Sequence, residues 1–260
     1  MVQVLQAEIA ERKRLERAAI QAERLATVGT MAAQLAHEVR NPLGSITLNL
    51  DLLQKDCVKP PNPAPASDEI GVLFMDIREE IQRIKRVIED YLKFARLPKL
   101  QRQPLALNQF LDEKLAFIGG ELEKAHVTLH TGFDPALGQI NADGGQLWQA
   151  ALNLIHNSVD AMPNGGELNV GTWREGKQAR IRIRDNGQGM DEKQINHIFT
   201  PFFTTKPNGT GLGLTLVQQI AIEHGGHVEC ESRVGEGTTF TIFLPLTEKP
   251  YGNGMDIFSG

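Results

Sequence analysis

At 260 residues, with 41% hydrophobic and 23% charged residues, the chain is long enough for two modest domains with cores of their own. With 27 Lys and Arg against 32 Asp and Glu, the formal net charge is −5, which disfavours a general binder of the nucleic-acid backbone. Two cysteines, Cys57 and Cys230, lie too far apart for a metal or redox motif and fit a reducing compartment. No stretch approaches the ~18 apolar residues of a membrane span, nor is there a signal-peptide core.

Residues 5–55 are rich in Ala, Leu, Glu, Arg and Gln and read as one long helix. Leu15, Ala18, Ala22, Leu25, Ala32, Leu35 and Val39 mark one face, with a junction or bend at Thr27 and Gly29. Pro42 lacks an N–H and crowds the carbonyl four residues back, so it is expected to kink or loosen the helix before Ile46, Leu50 and Leu53 resume it. Just before it, Ala36-His37-Glu38-Val39-Arg40-Asn41 gathers an imidazole, a carboxylate and an amide within about one helical turn. An imidazole can attack a phosphoryl group, Glu38 can orient or deprotonate its other nitrogen, and Asn41 can position a water for hydrolysis. Arg40 is suited to neutralising phosphate charge or a partner's acidic pocket. The plain alternative is an exposed helix histidine among ordinary surface charges.

Four prolines, at 60, 61, 63 and 65, make the segment 57–68 an extended connector. Beyond it, Ile70, Leu73, Ile77, Ile81, Ile84, Ile88 and Tyr91 recur at spacings of three or four, predicting a helix that buries a single stripe. A hairpin of two such helices has little core of its own. Pairing two hairpins into a four-helix bundle buries both stripes, so a homodimer is expected.

Pro98 and Pro104 bracket a polar junction, after which the composition turns to mixed helix and strand. The patterns predict helices over 108–125, 143–162 and 211–224 and strands over 126–131, 167–173, 178–184, 227–232 and 238–244. Val170, Ile181, Ile183, Val228, Phe240, Ile242 and Leu244 alternate with polar residues, as in a sheet with one face under helices.

Within this half, Asn153 and Asn157 stand one helical turn apart, where their amide oxygens can meet a hydrated Mg²⁺ carried on phosphates; helix decoration is the alternative. His156 between them is a nucleotide-facing candidate or a solvent-facing side chain, with no ligand set for a transition metal. Asp185-Asn186-Gly187-Gln188-Gly189 follows a strand and presents a carboxylate that can accept an adenine amino proton, although Asp-Asn-Gly is also a turn sequence. The segment Phe199 to Lys206 joins an aromatic plug to Thr204, Thr205 and Lys206, suiting a lid whose lysine reaches phosphates, with at least one of Phe199, Phe202 and Phe203 expected in the core. Gly209-Thr210-Gly211-Leu212-Gly213 lets backbone N–H groups approach phosphates and then opens a helix. Neither a Walker lysine motif nor a Rossmann βαβ context accompanies it.

In this order and spacing, His37-Glu38-Val39-Arg40-Asn41-Pro42, Asn153 with Asn157, Asp185 to Gly189, Phe199 to Lys206 and Gly209 to Gly213 resemble the catalytic core of a bacterial two-component sensor histidine kinase, particularly the nitrogen-regulator-like ones. The resemblance implies a multidomain chain, α followed by α/β: a dimeric helical-hairpin four-helix bundle, then a Bergerat-type ATP-binding sandwich. It divides the chain into a helical linker over 1–29, a dimerisation and histidine-phosphotransfer domain over 30–95, an interdomain linker over 96–103, an ATP-binding domain over 104–246 and a tail over 247–260. It implies His37 as phosphoacceptor, Glu38 as its acid/base partner and Asn41 as support for dephosphorylating the response regulator. It further implies Asn153 and Asn157 at Mg²⁺-ATP, Asp185 at adenine, Gly187, Gly189, Gly211 and Gly213 shaping the pocket, and Thr238 near its adenine end. Ser158 stands where the resembling motif often has alanine. The partners implied are a second copy of the chain, a receiver domain carrying the acceptor aspartate, and an upstream sensor. The location implied is cytoplasmic, either free or as the cytoplasmic part of a membrane-associated sensor. A related dimeric ATPase and an ATP-binding scaffold that has lost transfer are the alternatives.

Overall fold

A computed structural model describes residues 35–53, 67–95, 99–206 and 209–246. Residues 1–34, with the first part of the helix expected over 5–55, most of the proline-rich connector, residues 96–98 of the expected interdomain linker, residues 207–208 and the tail 247–260 lie outside these residues. The chain divides into two compact units, one within Met1–Leu97 and Pro201–Leu212, the other within Pro98–Thr200 and Gly213–Gly260.

In the first unit, helix α1 (residues 35–53) runs through Pro42 without a break in its helical backbone. Pro42 is buried, so packing holds the turn that its missing N–H weakens. Helix α2 (Ser67–Ala95) starts two residues after the last proline of the connector, so Ser67 and Asp68 belong to its first turn. Ser-Asp-Glu is a sequence that favours a helix start, and this outweighs the extended bias spreading from the prolines. No helix among the described residues is long and apolar enough to cross a membrane.

The apolar residues of α2 occupy two faces, which corrects the single stripe expected above. Ile77 and Val87 are buried and Ile70, Leu73, Ile84 and Tyr91 half-buried, whereas Ile81 is 50% and Ile88 40% exposed. Ile81 and Ile88 line up with Phe74, 60% exposed, at spacings of seven, a second seam alongside the one that packs within the chain.

The second unit is an α/β sandwich. Its five-stranded sheet has the order β2 (Val127–Phe133), β4 (Gly166–Glu175), β5 (Gln178–Asp185), β7 (Gly237–Pro245), β6 (His227–Arg233). The β2–β4 pair is parallel and the others antiparallel. Helices α3 (Leu107–Lys124), α4 (Gly144–Asp160) and α6 (Gly213–Glu223) form the helical layer. Burial alternates strictly along β5: Ala179, Ile181, Ile183 and Asp185 point inward, while Arg182 and Arg184 are exposed. On the open face Arg182 lies over the Trp173 ring at 5.1 Å and Arg180 over Phe243 at 4.6 Å, covering aromatic surface with cations. Three short elements add to those expected: β1 (Gln103–Leu105) paired antiparallel with β3 (Ile140–Ala142), and the four-residue helix α5 (Glu192–Ile195), closed by an Asp191–Gln194 capping box.

One histidine ties the helical layer together. The Asp143 N–H, which can only donate, reaches His224 Nε2 at 3.1 Å, so the proton of a neutral ring sits on Nδ1 and is donated to the Ile220 carbonyl at 2.8 Å. Asp143 also caps α4, its Oδ1 accepting from the Gln146 N–H at 3.1 Å. Burial, and then Arg102, hold His224 below the ordinary value near 6.5, against the raising influence of the Ile220 carbonyl, Asp143 and Glu223. Between that lowered value and 6.5 the unfolded chain binds a proton that the folded one refuses, so stability falls as pH drops through this window. The prediction is a thermal midpoint that declines from pH 7.5 to 5.5, and a smaller decline in His224→Gln, checked by calorimetry.

Candidate functional site

In the helical unit, His37 and Asn41 are exposed on α1 one turn apart, open to a reacting group. Glu38 is half-buried and turned toward α2, where its Oε2 lies 3.5 Å from an Arg83 guanidinium nitrogen. Arg83 in turn lies 3.9 Å from Glu80 Oε2. Arg83 is a residue the sequence reading missed. Its one signal was a cation beside a heptad position, Glu80, that is polar where its neighbours are apolar.

Residues 201–206 and 209–212 fall in the same unit. Phe202 adopts φ 63° and its N–H donates to the Gly211 carbonyl at 3.1 Å; a side chain on Gly211, itself at φ 67°, would run into the Phe202 backbone. Lys206 N–H donates to Thr204 Oγ1 at 3.1 Å, and the Gly209 N–H to the Lys206 carbonyl at 3.1 Å. Thr205 is exposed and Leu212 buried. Thr210 Oγ1 donates to Asp90 Oδ2 on α2 at 2.8 Å. Phe199, Phe202 and Phe203 are all half-buried, and Ile198, 4% exposed, takes the core position expected of one of them.

In the sandwich, α4 and the end of β5 meet at Asp185. Asp185 is 2% exposed, and a carboxylate so placed requires donors. Its Oδ1 accepts from the Gly187 N–H at 3.0 Å and the Thr238 N–H at 3.1 Å, and its Oδ2 accepts from the Ser158 hydroxyl at 2.9 Å. The turn that follows is pinned on two sides. Gln188 N–H donates to the Ala161 carbonyl at the end of α4, and the Gln188 carbonyl accepts from the Gly235 N–H in the β6–β7 turn. Gly189, at φ 65°, passes so close to the Arg233 carbonyl that a Cβ would overlap it. Thr238 is buried, its Oγ1 2.9 Å from Ser232 Oγ, which also accepts from the Met190 N–H at 2.9 Å. Ser232 is a support that no sequence pattern marked; Asn186, read above only as part of the turn, is a second, its Oδ1 accepting from the Glu167 N–H at 2.9 Å.

Asn153 and Asn157 are half-buried on α4, and a Cβ on Gly213, the first residue of α6, would lie 3.7 Å from Asn153 Oδ1. The start of α6, with its orphan N–H groups and positive dipole end, thus lies beside Asn153. His156 is exposed and points away to α3, with its Nε2 3.2 Å from Glu121 Oε1. Cys230 is half-buried, and burial, followed by Asp185 and Glu231, pushes its thiol up to about 12, which makes it unreactive.

Residues 27–99 match the His Kinase A (phospho-acceptor) domain, and residues 142–248 the histidine kinase-, DNA gyrase B- and HSP90-like ATPase. The signal transduction histidine-protein kinase AtoS of Escherichia coli is 38% identical over 96% of this chain and 40% of its own length. The sensor histidine kinase ZraS of Klebsiella oxytoca is 36% identical over 90% of this chain and 50% of its own. The chain thus spans half or less of these two relatives. Among solved structures, histidine kinase ThkA in complex with response regulator protein TrrA superposes with a TM-score of 0.66 at 25% identity, over 86% of this chain and 64% of that one. Acinetobacter baumannii histidine kinase AdeS shares the fold, with a TM-score of 0.60 at 20% identity over 82% of this chain and 98% of that one. With a phosphoacceptor helix domain preceding an ATPase domain of this type, the chain belongs to the two-component sensor histidine kinases, as their catalytic core.

Proposed function

We propose that the chain is an ATP-dependent protein-histidine autokinase that phosphorylates His37 and passes the phosphoryl group to an aspartate on a separate receiver domain, which it also dephosphorylates. The observation that carries this reading is Asp185: a buried carboxylate with three protein donors already in place and one acceptor site on Oδ2 left for a purine amino group, in a chain that also exposes His37 on a helix. In the proposed step a His37 ring nitrogen bonds to the γ-phosphorus as the bond to the bridging oxygen breaks, and ADP leaves. Glu38, held at one oxygen by Arg83, offers the other to the proton of the opposite ring nitrogen. Asn153, Asn157 and the start of α6 hold the phosphate end, and the Thr210 hydroxyl, already given to Asp90, is not among its donors.

The residues present suit Mg²⁺ arriving with ATP. Two neutral amide oxygens one turn apart match an ion that keeps waters and phosphates as its other ligands, and among the described residues no trio of His, Cys, Asp or Glu offers an all-protein cage. Bound there, Mg²⁺ would neutralise charge on the transferring phosphates.

A second copy of the chain covers the seam of Phe74, Ile81 and Ile88 in a four-helix bundle. An upstream sensor supplies the input. The reaction draws on ATP, which places it on the cytoplasmic side, free or as part of a membrane-associated sensor.

The test chases γ-labelled chain with a panel of receiver domains. Label is expected to leave for a receiver aspartate, and Asn41→Ala is expected to slow receiver dephosphorylation about tenfold or more while self-labelling persists. Label that moves to no receiver overturns the transfer half of the reading.

A further inference from the structure

We propose that Ser158 is a positioning residue for purine recognition: its hydroxyl orients the one acceptor site of Asp185 left open to a 6-amino group, and so sets the preference for adenine nucleotides. The inference rests on the reading of Asp185 as the adenine acceptor. Ser158 is 1% exposed, one residue beyond Asn157 on α4, and its hydroxyl hydrogen goes to Asp185 Oδ2 at 2.9 Å. A helix serine or threonine commonly returns its hydrogen to the carbonyl four residues back, as Thr47 does to Leu43 at 2.8 Å. Ser158 instead gives it across to the end of β5.

An ionised carboxylate offers about four acceptor sites, two on each oxygen. Both sites of Oδ1 are taken, by the Gly187 and Thr238 N–H groups. Oδ2 holds the Ser158 hydroxyl and has one site left, so the amino group of a purine must share Oδ2 with Ser158. The serine donor thereby fixes where the remaining lone pair points. It also joins adenine recognition to the helix whose Asn153 and Asn157 face the phosphate end. With alanine here, Asp185 keeps its Oδ1 bonds and rotates about them, and the open site loses its direction.

The experiment measures dissociation constants of the full chain for ATP and for purine riboside triphosphate, the same nucleotide with hydrogen in place of the 6-amino group. The wild-type chain is expected to bind ATP about tenfold more tightly than the analogue. Ser158→Ala is expected to lose about tenfold for ATP and nothing for the analogue, so that the preference collapses. Ser158→Cys, a weaker donor of similar size, is expected to fall between them and carries the test if the alanine variant does not fold. Equal losses for both nucleotides assign Ser158 a merely structural role and overturn the inference, as does an unchanged preference. A wild-type chain that does not distinguish the two nucleotides overturns the adenine reading of Asp185 itself.

Discussion

Asp185→Asn is expected to leave a folded chain that no longer binds ATP usefully, with a dissociation constant raised roughly 100-fold, about 2.7 kcal/mol. The asparagine oxygen can take the place of Oδ1 and still accept from the Gly187 and Thr238 N–H groups, and the Ser158 hydroxyl can accept from the new amide while returning its hydrogen to the Leu154 carbonyl four residues back. The buried network therefore stays satisfied. What changes is the open site: an N–H donor now faces the amino group of the purine where an acceptor stood. Titration calorimetry with ATP checks the affinity, and a thermal midpoint within a few degrees of wild type checks the fold. Unchanged ATP affinity would contradict the site described here.

The second large effect is expected from Gly237→Ala. Gly237 adopts φ 91°, and a Cβ there would overlap the Asp185 carbonyl oxygen and come within 2.8 Å of Asn186 Cα. Both obstacles are backbone, so no side chain can swing away. Strain in the left-handed region and overpacking together are expected to cost about 3 kcal/mol or more and to disrupt the Thr238 N–H bond to Asp185. Gly235, two residues earlier in the same turn at φ 79°, has open space around its Cβ position. Gly235→Ala thus carries the backbone strain alone and is expected to cost about 1 kcal/mol. Urea unfolding of the pair separates the two contributions. Equal losses would mean that the close approach to Asp185 does not matter.

The long elements could be read from sequence because burial imposes a period on them. In β5, Ala179, Ile181 and Ile183 alternate with arginines, and α4 follows a capping aspartate, Asp143. The elements missed are too short to show a period: β1 has three residues, one of them Pro104, and α5 has four. The division of α2 into two seams was hidden because Ile81 and Ile88 are as apolar as Ile77 and Val87, and only packing against α1 shows which pair the hairpin itself buries. The site residues announced themselves where chemistry demands unusual types, as at His37, Asp185 and the glycines. Their supports did not, beyond Ser158 standing where the resembling motif often has alanine. Ser158, Ser232 and Arg83 are common residues whose meaning comes from partners 27, 6 and 45 positions away. His156 shows the converse: adjacency to Asn157 in sequence turned it around the helix by about 100°, toward Glu121.

The most direct measurement incubates the purified chain with γ-labelled ATP and Mg²⁺ beside His37→Gln. The expected result is a label on the wild-type chain that is stable in base, lost in acid and absent from the variant, with both proteins folded and binding ATP equally. A label that persists in His37→Gln, or a folded, ATP-bound wild-type chain that takes none, would contradict the assignment of His37 as phosphoacceptor.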